Sequence, residues 1–222
     1  MMHSVKPEKE GVDEFQWRLN PDGCFSVASI SMLLADSKEV SWLPSTVKLL
    51  KLFWNSLVPF KIQIFMWRVC IDRLPTKDSL SKRGVLDISS NLLCEFCKIH
   101  LETSTHFFFL CNVVKALWRR IYLWLGEDLP FSLAKFFDFG IIQEKVKNVK
   151  SRKKINSIWI ATAWSLWIMR NAMIFDKVAY SFDKVFYNIM FLSWSWLDSS
   201  NSLLSCSFYD WYKLPLDCFN DL

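Results

Sequence analysis

Cys94-Glu95-Phe96-Cys97-Lys98-Ile99-His100-Leu101-Glu102-Thr103-Ser104-Thr105-His106-Phe107-Phe108-Phe109-Leu110-Cys111 carries the densest chemistry in the chain. Two residues separate Cys94 from Cys97, eight separate Cys97 from His106, and four separate His106 from Cys111. Three thiols and one imidazole fill the four tetrahedral positions of a structural zinc site, with no position left open for water. The short gap lets both sulfurs of one tight turn point at a single ion. The second pair brackets an apolar run, so it is expected to ride on the start of a helix. The competing reading makes Phe96 and the Phe triplet plain core and the first Cys pair incidental. A His and a Cys at close spacing soon afterwards weigh against it. His3 lies in a polar tail and His100 inside the bridge between the pairs, which leaves His106 as the imidazole. The expectation is structural Zn2+ on Cys94, Cys97, His106 and Cys111, with the ligating atoms converging within about 4 Å.

Working outward, 222 residues allow one domain or two small ones. An apolar fraction of 52% supplies a sizeable core, and only 5 Gly beside 19 Phe and 12 Trp favour helices over a turn-rich β architecture. The net charge of +5 permits contact with nucleic acid without demanding it. The first residues are polar and charged, unlike a basic-then-apolar leader. An intracellular, reducing setting is therefore expected, with nucleus and cytoplasm equally open. There, clustered Cys reads as metal binding, and Cys24, Cys70, Cys206 and Cys218 read as free thiols. Residues 155–169 are apolar and Trp-rich but broken by Asn156, Ser157, Thr162 and Ser165. A span needs about 18 or more apolar residues. The segment reads as a buried helix, and a membrane is not expected as a partner.

In chain order, residues 1–14 read as a disordered N-terminus. Short aromatic runs at 15–17 and 25–27 flank Asn20-Pro21-Asp22-Gly23 and predict a β-hairpin. Ser26 then caps a helix to Leu34. Thr46 is expected to cap a helix over 47–57, and a helix over 60–74 should stop at Pro75. Thr76 caps a short helix ending at Gly84. A helix follows Cys111 to Leu125 and closes at Gly126. Its inward face carries Leu117, Ile121 and Trp124. Residues 127–200 read as a helical C-terminal extension, with helices over 154–175 and 182–196. Residues 201–222 read as an irregular tail. The fold class is mainly α, with a short N-terminal β-hairpin and a Cys3His zinc site.

The order of motifs resembles the zinc-binding domain of plant LINE-type (non-LTR) reverse transcriptases. The matching residues are Trp17, Gly23-Cys24-Phe25-Ser26-Val27-Ala28-Ser29, Phe53-Trp54-Asn55, Val58-Pro59-Phe60-Lys61, Phe65-Met66-Trp67-Arg68 and Arg73-Leu74-Pro75-Thr76-Lys77-Asp78. The Cys3His set follows, with Glu102-Thr103 ahead of His106, and then Leu117-Trp118. The resemblance covers residues 15–126, and Leu166-Trp167-Ile168-Met169-Arg170-Asn171 looks like the helix that often follows. It implies a structural zinc and an association with nucleic acid. Two departures stand out: Lys98 occupies a position that is often Gly, and Ile30 one that is usually aromatic. There is no adjacent Asp pair of the kind a polymerase uses to hold two metal ions.

The leading expectation is therefore a non-catalytic, zinc-stabilised module touching RNA or DNA. Lys98, Lys115, Arg119 and Arg120 would meet phosphate near the metal, and Phe96 would stack on a base. A second basic run holds Arg152, Lys153 and Lys154. The rival expectation is a structural or protein-interaction remnant, docked on a reverse transcriptase polymerase domain, in which zinc only holds the fold. Nothing in the sequence sets an oligomeric state.

Overall fold

The computed structural model describes residues 44–87, 89–126, 148–199, 206–215 and 217–219. The chain divides into two compact units, Met1–Trp42 and Leu43–Leu222, and every described residue belongs to the second. The expected disordered start, hairpin and following helix, together with Cys24, lie outside the described residues.

The helices are α1 (Pro44–Trp54), α2 (Phe60–Cys70), α3 (Lys77–Lys82), a π turn (His106–Leu110), α4 (Asn112–Trp124), α5 (Val149–Phe175), α6 (Phe182–Asp198) and α7 (Phe208–Lys213). A 3-10 turn, Asp217–Phe219, ends the described chain. Among the described residues no strand occurs, and Leu93 and Leu101 form an isolated antiparallel bridge. The mainly α expectation holds for this part.

Element ends are where sequence and structure part. α1 begins at Pro44, and Thr46 is a buried residue within it and not its cap. Proline suits a first turn because the missing N–H would be unpaired there anyway. α2 stops at Cys70, short of Pro75. Asp72 adopts the left-handed φ of 52°, so that Arg73 N–H reaches the Arg68 carbonyl (2.8 Å) and Asp72 N–H the Val69 carbonyl (3.1 Å). This double bond at a left-handed residue closes helices, usually with Gly. An Asp there hides the stop signal. α3 runs as expected, with Thr76 Oγ1 accepting from Ser79 N–H (3.3 Å) and Gly84 at φ 70°.

α5 starts at Val149, ahead of the expected Lys154, because Asn148 caps it and accepts from the amides of Lys150 (2.8 Å) and Ser151 (3.4 Å). The basic residues at 150–154 are thus its first turns. This helix is long and apolar enough to cross a membrane by length and composition, yet 61% of its most apolar 18-residue window is buried inside the protein. Asn156, Ser157, Thr162 and Ser165 are buried too, which suits a core helix. The tail expected to be irregular instead forms α7, whose start is closed by a reciprocal Ser207–Asp210 capping box. Trp211 of α7 is fully buried and donates to Ser193 Oγ (3.2 Å). Cys206 and Cys218, expected as free thiols, are joined in a disulfide. α7 turns the chain between them and brings their Cα atoms to 5.8 Å across a separation of 12 residues, a closure that spacing alone does not signal.

The core is one apolar cluster running from Leu49 to Cys218. Trp159 of α5 packs against Phe109 (5.6 Å between centroids) and Trp118 (4.5 Å). Trp167 meets Phe107 (6.0 Å), and Trp164 meets Phe65 (5.1 Å). The short connection after Phe175 folds α6 back along α5. α5 therefore lies directly behind the segment that carries the Cys and His residues.

Candidate metal centre

Backbone bonds shape the first Cys pair. Cys94 N–H donates to the His100 carbonyl (2.8 Å), Glu102 N–H to that of Leu92 (3.0 Å), and Lys98 N–H to that of Cys94 (2.8 Å). The turn closes with Lys98 at φ 55°, the left-handed region that favours glycine. That is the physical content of the departure noted at this position. The second pair sits on the π turn, where Cys111 N–H reaches back five residues to the His106 carbonyl (2.8 Å). Phe107, Phe108 and Phe109 are all buried, and Trp118 Nε1 donates to the Phe108 carbonyl (2.9 Å). The chain then breaks to an extended residue, Cys111, which is the N-cap of α4. Its sulfur thereby stands at a helix start, where backbone dipoles favour negative charge.

The four side chains that the spacing singled out meet. The ligand atoms of Cys94, Cys97, His106 and Cys111 all lie within 4.8 Å of one another. Cys97 Sγ is 3.4 Å from His106 Nε2, against about 3.6 Å for the sulfur–nitrogen edge of a tetrahedral zinc site built from ordinary bond lengths. The widest separation exceeds the expected value of about 4 Å, so a bound ion would draw the ligands slightly inward. Cys94 and Cys111 are fully buried, and Cys97 is half-buried.

Charge is arranged for metal binding. The Cys94 thiol is pushed up, first by its hydrogen bond with Cys111 and then by burial. The same bond holds the Cys111 thiol down, helped by the backbone amides of Val114 and Val113. Cys111 is thus the readier thiolate, and Cys94 the proton donor beside it. Burial, with repulsion from His100 and Lys115, holds the His106 imidazole below its ordinary value. A neutral ring is the form a metal takes. Three sulfurs and one neutral imidazole form a zinc donor set, and the residues present fit the ion.

Behind the loop lies a polar clasp that spacing did not reveal. Glu102 is fully buried and pairs with Arg170 of α5 (2.6 Å). Glu102 Oε1 also accepts from Lys77 N–H (3.1 Å), and Oε2 from Glu95 N–H (3.4 Å). Arg170 lies over the Trp167 ring (4.8 Å). Lys77 donates to the Leu93 carbonyl (2.9 Å) and pairs with Glu95 (2.5 Å), which also pairs with Lys98. Burial raises the Glu95 carboxyl, and the two lysines outweigh it and hold the group below its ordinary value. The metal loop is thereby tied to α3 and α5.

The residues expected to meet nucleic acid fall in different settings. Phe96 is half-buried, stacked on Phe107 (5.3 Å) and beside Tyr180 (5.2 Å), so its ring packs against the core. Arg120 pairs with Asp183 (2.6 Å) and lies over Phe186 (4.2 Å). Lys154 is fully buried, its ammonium donating to the Cys218 carbonyl, because the helix places it on the inner face. Arg152 is half-buried. Lys98, Lys115, Arg119 and Lys153 are exposed.

The Cys3His cluster on a short turn and a helix start has the donor set of a structural zinc site. Residues 25–118 match the family described as zinc-binding in reverse transcriptase, and all four cluster residues fall inside the match. The protein is also similar to an Arabidopsis thaliana protein named "Putative ribonuclease H protein At1g65750", 28% identical over 110 residues, which is 49% of this chain. That stretch spans 17% of the Arabidopsis protein's length. No solved structure matches.

Proposed function

We propose that this protein is a non-catalytic, zinc-stabilised helical module of a retrotransposon-related protein that associates with nucleic acid. The observation that carries the reading is the closed donor set: three Cys and one His within 4.8 Å, with no place for a substrate or water on a tetrahedral ion. Bound there, zinc would act as a cross-link between the turn at Cys94–Cys97 and the start of α4. Ribonuclease H is named for the Arabidopsis protein as a whole. Among the described residues here, no cluster of three carboxylates accompanies the Cys3His set. The exposed cations Lys98, Lys115, Arg119 and Lys153 support contact with phosphate. The engagement of Phe96, Arg120 and Lys154 by other residues of the chain favours a second reading, in which the module only docks on a polymerase domain.

The test has two parts. Purified protein should carry about one zinc per chain, and Cys94→Ser should lose most of it together with local order, measured by elemental analysis and hydrogen exchange. Binding to single-stranded probes should then weaken linearly in log salt, with a slope of about −0.7 per phosphate contacted. Zinc-replete protein that binds no RNA or DNA at low salt would leave the docking reading standing.

A further inference from the structure

A groove of about 390 Å³ runs between α2 and α5, with none of the Cys3His residues in its lining. Its two walls are helix stripes. On α2, Lys61, Ile64, Phe65 and Arg68 recur at three- and four-residue spacing and share a face. On α5, Trp164, Trp167, Asn171 and Phe175 do the same. The volume lies in the range of ligand sites, about 300–1,000 Å³.

The lining has a definite chemistry. It contains Lys61, Arg68 and Arg170 and no carboxylate. The Arg170 charge is neutralised from behind by Glu102, which leaves Lys61 and Arg68 to set the sign. Both are exposed. Arg68 uses one donor on the Arg73 carbonyl (3.2 Å), and a guanidinium has five. Among the described residues neither cation has a carboxylate partner. Seven residues of helix separate them by about 10 Å along the axis. The lining also carries aromatic rings: buried Phe65 packs against half-buried Trp164 and buried Trp167, and Phe175 stands 72% exposed. Lys61 already sits over the Trp164 ring, 5.6 Å from its centroid.

We propose that this groove is the module's binding site for single-stranded nucleic acid, with phosphates on Lys61 and Arg68 and bases against Trp164 and Phe175. The proposal rests on the nucleic-acid reading above and moves its centre from the zinc face to the α2–α5 face. A cation beside an aromatic face matches the phosphate and base of one nucleotide. Stacking of this kind contributes about 1–3 kcal/mol per base and tolerates any sequence. A duplex hides its base faces and offers only phosphate.

The experiment uses the full chain with zinc and fluorescence anisotropy of labelled oligo-U, oligo-dT and a mixed-sequence duplex. Wild type should prefer the single strands, and the two sugars will show whether RNA or DNA is favoured. The pair Lys61→Glu/Arg68→Glu, both on the surface, should lower single-strand affinity at least tenfold and reduce the salt slope by about 1.4. Phe175→Ala, whose ring is exposed, should weaken single strands several-fold and leave the duplex unchanged. Lys115→Glu/Arg119→Glu, on the zinc face, should lower single-strand affinity by clearly less than the groove pair does, through the change in net charge. If that zinc-face pair abolishes binding while the groove variants bind normally, the groove is not the site although the nucleic-acid reading stands. Equal binding of duplex and single strand, insensitive to Phe175→Ala, would likewise overturn it. Failure of wild type to bind any probe would remove both the proposal and the reading beneath it.

Discussion

Lys98 shows how a single backbone angle can be tested. Its φ of 55° would cost an L-residue about 1–2 kcal/mol, and its ion pair with Glu95 is half in solvent, where such pairs contribute about 0–1 kcal/mol. Comparing Lys98→Gly with Lys98→Ala removes the ion pair from both variants and leaves only the backbone difference. The Gly variant should be the more stable by about 1 kcal/mol, read as a shift in the denaturant midpoint at constant zinc. Equal stability would mean the turn is not held in this conformation in solution. The metal ligands themselves were legible from spacing, because a Cys pair two residues apart can close on an ion in few ways. The intramolecular partners of Phe96 and Arg120 were not legible for a common reason: an aromatic or a cation looks the same in a sequence whether its partner is a base, a phosphate, or Phe107 and Asp183 of the same chain.

At the level of elements, α5 does more than extend the domain. Its Arg170 reaches Glu102, so a helix beyond the matched segment completes the setting of the metal loop. Arg170→Met should leave the Glu102 carboxylate buried and unpaired and destabilise the protein by about 3–5 kcal/mol. The double variant Glu102→Gln/Arg170→Met should recover a large part of that loss. Chemical denaturation of the four members of this cycle measures it, and a double variant no better than Arg170→Met alone would count against a direct pair. Apolar periodicity made α2, α4, α5 and α6 readable as helices, whereas helix ends were not, and the short α7 was read as irregular tail. Asn148 capped α5 earlier than the basic run suggested, and Asp72 closed α2 where a Gly would have announced the stop. The Glu102–Arg170 pair left no trace in either element, since two charged residues 68 positions apart follow no local pattern.

For the molecule as a whole, the resemblance set the zinc domain at residues 15–126, and the shared core crosses that line. Ile158, Ile160, Leu166 and Met169 of α5 are buried. At about 1.5–3 kcal/mol each, they approach the entire net stability of a domain, about 5–15 kcal/mol. A chain ended after Gly126 should therefore lose cooperative unfolding and near-UV dichroism and bind zinc at least tenfold more weakly, by thermal melting and competition with a chelator. A sharp melt with native zinc affinity would show that the segment folds without α5 and α6. The apolar content and helical class could be read from composition. Which helices share a core could not, because the aromatic contacts of Trp159 and Trp167 join residues about 40 or more positions apart along the chain.

The clasp between Glu102 and Arg170 also has a consequence in time. A ribosome adds residues one by one, at about 5–20 per second, and 68 positions separate the two charges. The loop's last thiol, Cys111, thus leaves the peptidyl-transferase centre roughly 3–12 s before the guanidinium that neutralises the loop's carboxylate is made. During that interval the newborn loop holds its metal ligands but not its inner wall, and Glu102 must stay in water. Final burial of the site is therefore a late event of synthesis, set by the arrival of a helix and not by the arrival of the ion.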